Sequence, residues 1–597
     1  MYACTCATKL TYHTSQNYLP LLCFLKLIST RHLLLNLGRR NKEAEMTSLP
    51  SSLLPIESHY IAEVTKFVCS LLKPITNLIH NENETFQITH VERLKSAQQH
   101  VLLLSVTLPR LMFKSDDDNY STRRDVLHSL YKAVKDGNGK IILRIWENGA
   151  RWWNLNLKRL FHHNNVDTFN CDSVTLCNDL ANAEVAGYKV AKRAIEYYNN
   201  RCKEKIRWVK TNLYIPNVIY FHESGSILTS SLSNRLHRPW ALFLYVGEDS
   251  NYTKYKICDD FIHNMVKNRH EFGFDEPHPR HGRVNTDQAL DYALVVLDTI
   301  IFPVHTAFYD CYFRNSLNNN NESETQMGPI NEHPLLQQDG NNLVMINYID
   351  IEKESNYSSN KNLCQSKGCQ YLDMVKMYQN IVSYLNEEVS DSQEFKLPLE
   401  HKKLNKDRKS HQVNALLRTL DQCISSLLLE FTQLDVTMKY KLPAVLCHLD
   451  LQPQNMILYH KNTISTDNGV LPNILSVLDW EESCYADPRF ELLLLCRKVV
   501  ATREQADTLW NIYEQVIQER FEDFSMTYRV KDSILGPIDP WLKLETVHSL
   551  ITLTMQGIGL GGRSPWEGSD ELWDKILREI KRLIDLGWHF CEEALDI

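Results

Sequence analysis

Two stretches decide how this chain is read: Cys447-His-Leu-Asp-Leu-Gln-Pro-Gln-Asn-Met-Ile-Leu458, and Ile474-Leu-Ser-Val-Leu-Asp-Trp-Glu481. The first places His448, Asp450 and Asn455 in the order His-x-Asp-x-x-x-x-Asn and runs into an apolar, strand-like segment. The second is a short apolar run ending in an acid. The polar, turn-forming residues Tyr459 to Pro472 lie between them, so the two runs are expected to pair as a hairpin with both carboxylates at one edge.

Phosphoryl transfer asks for such residues. It needs positioning and charge neutralisation more than covalent help from the protein. Magnesium prefers oxygen ligands and keeps several waters, so one carboxylate and one amide oxygen suffice beside the phosphates. Asp479 and Asn455 are the candidate ligands. Asp450 would orient an acceptor hydroxyl and take its proton late, and His448 would brace the loop. Taken singly, Asp450 reads equally as a turn residue before Pro453, Asn455 as a loop cap and Asp479 as a strand terminus.

These residues resemble the aminoglycoside phosphotransferase and choline kinase family, relatives of the protein kinases. The resemblance rests on His448-Leu-Asp-Leu-Gln-Pro-Gln-Asn455, on Leu478-Asp-Trp-Glu481, and on Ala486-Asp-Pro-Arg-Phe-Glu-Leu492, which is similar to the family's Gly-Asp-Pro-x-x-Asp-Leu. It implies an α+β, two-lobed protein-kinase-like fold, with a small β-rich N-lobe over about residues 46–247. A large, mostly helical C-lobe would follow over 248–597. ATP would lie in the cleft with Mg2+, and a small-molecule hydroxyl acceptor on the helical lobe. By that match Asp450 is the catalytic base, Asn455 and Asp479 hold magnesium, and Asp487 helps order the catalytic loop.

Working outward, Asp136-Gly-Asn-Gly139 is a strong turn signal that opens the strand Lys140-Ile-Ile-Leu-Arg-Ile-Trp146. Alternation puts Arg144 on one face with Ile142 and Trp146, opposite Leu143 and Ile145. A cation in that company needs a partner or a ligand. It is the candidate to grip the nucleotide phosphates, with Glu184 of Ala181-Asn-Ala-Glu-Val-Ala-Gly-Tyr188 as its ion-pair partner. Val101 to Leu108, Ile215 to Phe221 and Trp240 to Val246 also read as strands, and about Leu180 to Tyr198 as a helix. Leu244, Tyr245 and Val246 stand where a hinge would offer backbone groups to adenine. The phosphate-covering loop falls in Leu94-Lys-Ser-Ala-Gln-Gln-His100, where Ser96 and Gln98 can donate. It has none of the glycines that let backbone amides approach phosphate. That departure keeps open a reading of another class, a pseudokinase-like binding module with impaired ATP binding. A protein kinase fits less well, because Leu449 follows His448 and Glu481 stands where that family uses Gly.

Helical patterns are expected at about 55–80, 125–135, Thr286 to Phe308, Tyr371 to Leu385, Val413 to Phe431 and Glu571 to Cys591. Polar, disordered insertions are expected at 314–368 and 388–411. Trp541, Trp566, Trp573 and Trp588, near several acids, would suit an amine-bearing acceptor through cation–π attraction, although core packing accounts for the helical pair Trp573 and Trp588.

The 597 residues carry a net charge of −8, which argues against a nucleic-acid partner held by a broad basic face. No apolar run approaches the length of a membrane span. Sixteen cysteines without metal-ligand spacing suit a reduced, cytoplasmic chain. The first 45 residues hold basic side chains and, before residue 43, no acid. They read either as an organelle (for instance mitochondrial) transit segment or as an upstream extension of the frame before Met46.

Overall fold

The computed structural model describes residues 87–94, 100–107, most of 130–146 and 173–222, 239–245, 252–254 and most of 290–318. It further describes residue 335, 344–345, parts of 378–383, 406–437, most of 442–461, 473–499, 503–523, 533–557 and 569–595. The helix expected at 55–80 lies outside these residues, as does Trp566.

On the N-terminal side, β1 (Gln87–Leu94), β2 (His100–Thr107), β3 (Lys140–Ile145), β4 (Val218–His222) and β5 (Trp240–Leu244) form one antiparallel sheet in the order β1-β2-β3-β5-β4. The turn into β3 places Asn138 and Gly139 at φ 53° and 79°, a conformation that Asn and Gly adopt more readily than other residues. From there the strand alternates as its residues dictate. Ile141, Leu143 and Ile145 are buried with Leu102, Leu104, Leu242 and Leu244 in a small core, closed by Leu130, Ala133 and Val134. Ile142, Arg144 and Trp146 take the other face, toward α1 (Ser173–Arg201), which extends beyond the expected 180–198 at both ends.

The remainder is mostly helical, so the α+β, two-part division expected from the sequence is the one observed. After the short β6 (Tyr252–Lys254), a helical run contains a π-turn, Leu297–Ile301, leading into α2 (Phe302–Asn318). Pro303 has no N–H to give the carbonyl of Thr299; the Thr211 hydroxyl donates to that carbonyl instead, at 3.0 Å. Contrary to expectation, one segment here, Ala293–Cys311, is long and apolar enough to cross a membrane, but 78% of it is buried within the protein. Its apolarity is that of a core helix.

Parts of the two polar stretches, expected to be disordered, belong to regular elements. Helix α2 runs to Asn318, past position 314, and β7 (Val344–Met345) lies inside the first stretch. Helix α3 (Lys406–Thr437) begins inside the second. Then come β8 (Val445–Cys447), β9 (Met456–Lys461), β10 (Asn473–Val477), β11 (Cys484–Ala486), α4 (Pro488–Val499), α5 (Arg503–Asp523), α6 (Asp539–Gly557) and α7 (Ser569–Asp585), closed by the 3-10 turn His589–Ala594. β9 pairs with β10 as the expected hairpin and with β6 on its other side. β11 joins β8 and β7. The large apolar core spans α1 to the C-terminal turn and meets the sheet at Trp146, Ala241 and Phe243.

Candidate active site

β8 delivers the chain into the loop His448-Leu449-Asp450. Leu449 sits at φ 63°, a conformation a leucine adopts only when its surroundings hold it there. The holding group is Glu491 on α4. One of its oxygens accepts a short bond from the His448 amide, and both accept from the Leu449 amide, at 3.2 and 3.3 Å. Burial pushes the Glu491 carboxyl up to about 7, against the opposing effect of those amides. Asp487 has a different task. Both its oxygens accept from Arg489, at 2.6 and 2.8 Å, and Arg489 lies over the Trp541 ring at 4.4 Å. The carboxylate in contact with the loop is therefore Glu491, three residues inside the helix that Pro488 starts.

His448 is a brace. Its Nδ1 accepts the Asp450 amide at 3.2 Å and its Nε2 lies 3.0 Å from the Leu478 carbonyl, which assigns the proton to Nε2. The ring stacks at a tilt on Trp480, centroids 4.5 Å apart. Asp450 is buried, and Asn455 Nδ2 donates to its carboxylate at 2.7 Å and to its carbonyl at 3.0 Å. With both donors turned to Asp450, the amide oxygen is the end of Asn455 suited to a cation.

The hairpin brings the third residue in. Met456 pairs with Val477, and the Leu478 amide donates to the Asn455 carbonyl at 2.8 Å, so Asp479 follows a residue bonded to Asn455. Consecutive Cα atoms are about 3.8 Å apart, so the backbone at Asp479 lies close to that of Asn455. Asp479 is also left-handed, at φ 64°, and its amide donates to the Tyr188 hydroxyl of α1 at 2.9 Å.

Arg144 reaches the same place from the sheet. The expected ion pair with Glu184 is present at 2.9 Å, and Nη2 also meets Asp479 at 2.8 Å and Glu481 at 3.1 Å. Trp146 Nε1 donates to the second Glu184 oxygen at 2.8 Å. Burial alone would lower the guanidinium's pKa, but Glu184, Asp479 and Glu481 outweigh it and hold it above its ordinary value. Burial raises the Glu184 carboxyl, against Arg144. Three carboxylates face one guanidinium, with oxygens within 4.8 Å of one another, and only Asp479 among them has a side chain as much as 24% exposed. Asp479 is thus the most accessible carboxylate of the three, and its Oδ1 faces Arg144.

Of the other expected residues, Leu244 is buried at the end of β5 and its amide is taken by the Asn217 carbonyl at 3.0 Å; Tyr245 follows it, half-buried. Ser96, Gln98 and Val246 lie outside the described residues. β1 and β2 do pair as the two strands flanking 95–99, Leu94 opposite Val101. Two of the tryptophans proposed for an amine already serve internal cations: Trp541 lies under Arg489, and Lys543 sits 5.0 Å over Trp588.

Sequence reasoning passed over Glu481 as a partner of Arg144, Tyr188 as the anchor of Asp479, Glu491 as the loop's acceptor, and Gly187. A Cβ at Gly187 would lie 2.3 Å from Ser483 Oγ and 2.9 Å from Trp480 Cβ, so only glycine lets α1 approach the Trp480–Glu482 turn. The one available signal was a glycine one turn from Glu184 in a helix otherwise rich in Ala.

Residues 345–523 match the phosphotransferase enzyme family. That match is under a third of the chain; it opens in β7, closes with α5, and contains all three stretches on which the resemblance rests. No curated protein matches the chain. Among solved structures it is similar to the GDP complex of wild-type aminoglycoside 2'-phosphotransferase-IIIa, at 12% identity and a TM-score of 0.31, over 87% of this chain and 98% of that one. It is also similar to the choline kinase LicA from Streptococcus pneumoniae, at 11% identity and a TM-score of 0.26, over 88% and 99% of the two chains. A spectinomycin phosphotransferase in complex with ADP and spectinomycin gives 10% identity and 0.28, over 86% and 93%. Scores this low leave the weight on the family match and on the site's own geometry.

Proposed function

We propose that the chain is an ATP-dependent phosphotransferase acting on a hydroxyl of a small molecule. What supports this reading is that Asn455 donates to the Asp450 carboxylate while its carbonyl accepts from Leu478, the residue before Asp479. In this reading Asp450 aligns the acceptor hydroxyl and receives its proton as the new P–O bond forms and the bond between the γ-phosphorus and the leaving oxygen of ADP breaks. Asn455 holds the Asp450 carboxylate at that angle. Arg144, steadied by Glu184, turns one arm of its guanidinium to the nucleotide phosphates. Asn455 and Asp479 would hold magnesium, which when bound neutralises phosphate charge.

A second reading, a binding module without turnover, is favoured by one observation: Arg144 is already engaged by three carboxylates, and the sequence between β1 and β2 has no glycine. ADP formation measured across amino alcohols, sugars and amino acids separates the two. The enzyme releases ADP with at least one acceptor class, and Asp450→Ala lowers that rate by about 10²–10⁴-fold while keeping the MgATP-induced rise in melting temperature. A flat response to every acceptor, with no thermal shift at millimolar MgATP, supports the binding module.

A further inference from the structure

Cys423 on α3 and Cys591 in the C-terminal turn His589–Ala594 are both fully buried, and their sulfurs are 3.7 Å apart although 168 residues separate them in sequence. Neither takes part in the candidate active site. The turn that carries Cys591 is short and peripheral, and His589, Phe590, Glu592 and Glu593 around it are exposed. Its attachment lies just upstream, where Trp588 Nε1 donates to Glu430 at 2.7 Å and Lys543 bonds the same carboxylate at 2.9 Å. Gly587, at φ 93°, precedes that anchor. Beyond Trp588 the buried side chains of the turn are Cys591 and Ala594, so a local opening that withdraws these two exposes the Cys591 thiol without global unfolding.

We propose that Cys423 and Cys591 are a modification site, a thiol pair that exchanges with a low-molecular-weight disulfide such as glutathione disulfide and so clips the turn His589–Ala594 to α3. Local opening exposes the Cys591 thiol. As its thiolate it attacks one sulfur of glutathione disulfide; the S–S bond breaks, one glutathione leaves as thiolate, and a mixed disulfide forms on Cys591. On closing, the Cys423 thiolate displaces the second glutathione. Two protein thiols are oxidised to one disulfide, and one glutathione disulfide is reduced to two glutathiones. The sulfurs must close from van der Waals contact to about 2.05 Å, a movement the terminal turn can supply. The cross-strand pair Cys447 and Cys484 provides the contrast. Those residues face each other between β8 and β11, under the catalytic loop, where exposure requires dismantling the core.

The test is native incubation of the full chain with millimolar glutathione disulfide, then alkylation, digestion and peptide mapping. We expect a cross-linked peptide joining Cys423 to Cys591, with Cys447 and Cys484 recovered alkylated. The melting temperature should rise by about 3 °C or more, reversibly with dithiothreitol, and should not rise in Cys591→Ser. Recovery of Cys423 and Cys591 as separate alkylated or separately glutathionylated peptides overturns the proposal. So does a cross-link that forms only together with Cys447 oxidation. The wild-type map decides even if Cys591→Ser folds poorly.

Discussion

Glu491 is the residue on which the loop bearing Asp450 depends. Its carboxyl is raised to about 7 from an ordinary value of 4.5 because burial disfavours the charge. The folded protein therefore keeps a proton between those values that the unfolded chain has lost. Stability from this group is complete below the unfolded value and is lost as pH climbs through the folded one, about 3 kcal/mol in all. Glu491→Gln should flatten the pH dependence of the melting temperature across that window, and parallel curves for the two proteins would contradict the assignment. The site's residues were legible as types: His448, Asp450, Asn455 and Asp479 stand at offsets that a chemical argument can use. Their supports were not. Nothing in the letter Glu at 491 distinguishes an acceptor of backbone amides from a surface acid, because the distinction is made by a helix folding back beneath β8.

Among the elements, α1 matters most, because one side of it supplies Glu184, Gly187 and Tyr188 to the site. Ala ordinarily stabilises a helix over Gly by about 1 kcal/mol. At position 187 the methyl group would meet Ser483 Oγ at 2.3 Å and Trp480 at 2.9 Å, and Ser483 Oγ is itself bonded to the Trp480 carbonyl at 2.6 Å. Overpacking of that order costs roughly 1–3 kcal/mol. Gly187→Ala should therefore lower the melting temperature and displace Asp479, and a more stable variant would show that the helix has slack here. The strands were readable because period-two alternation survives in β3, down to the face on which Arg144 lies. The paired edges were less so: β6 and β7 are three and two residues long, and their pairing comes from partners distant in sequence.

At the scale of the whole molecule, Arg144 ties the sheet to the catalytic segment through Glu184, Asp479 and Glu481. Removing one partner of a buried ion pair leaves uncompensated charge and typically costs about 3–5 kcal/mol. Arg144→Met should destabilise the protein by that order, and the added Glu184→Gln should recover part of the loss; strict additivity of the two would mean the groups do not interact. The two-part division was legible because helical and strand periods differ in the two halves. The polar stretches misled, since Asn- and Ser-rich composition says little about a segment that ends a core helix, as at 314–318, or adds an edge strand, as at 344–345. The central claim is that Asn455 and Asp479 share one divalent ion next to Asp450. Calorimetric titration of ATP with and without magnesium tests it most directly, on the parent and on Asp479→Ala. The account predicts that magnesium strengthens ATP binding in the parent by at least about tenfold, 1.4 kcal/mol, and not in the variant. The same magnesium dependence in both proteins would contradict it.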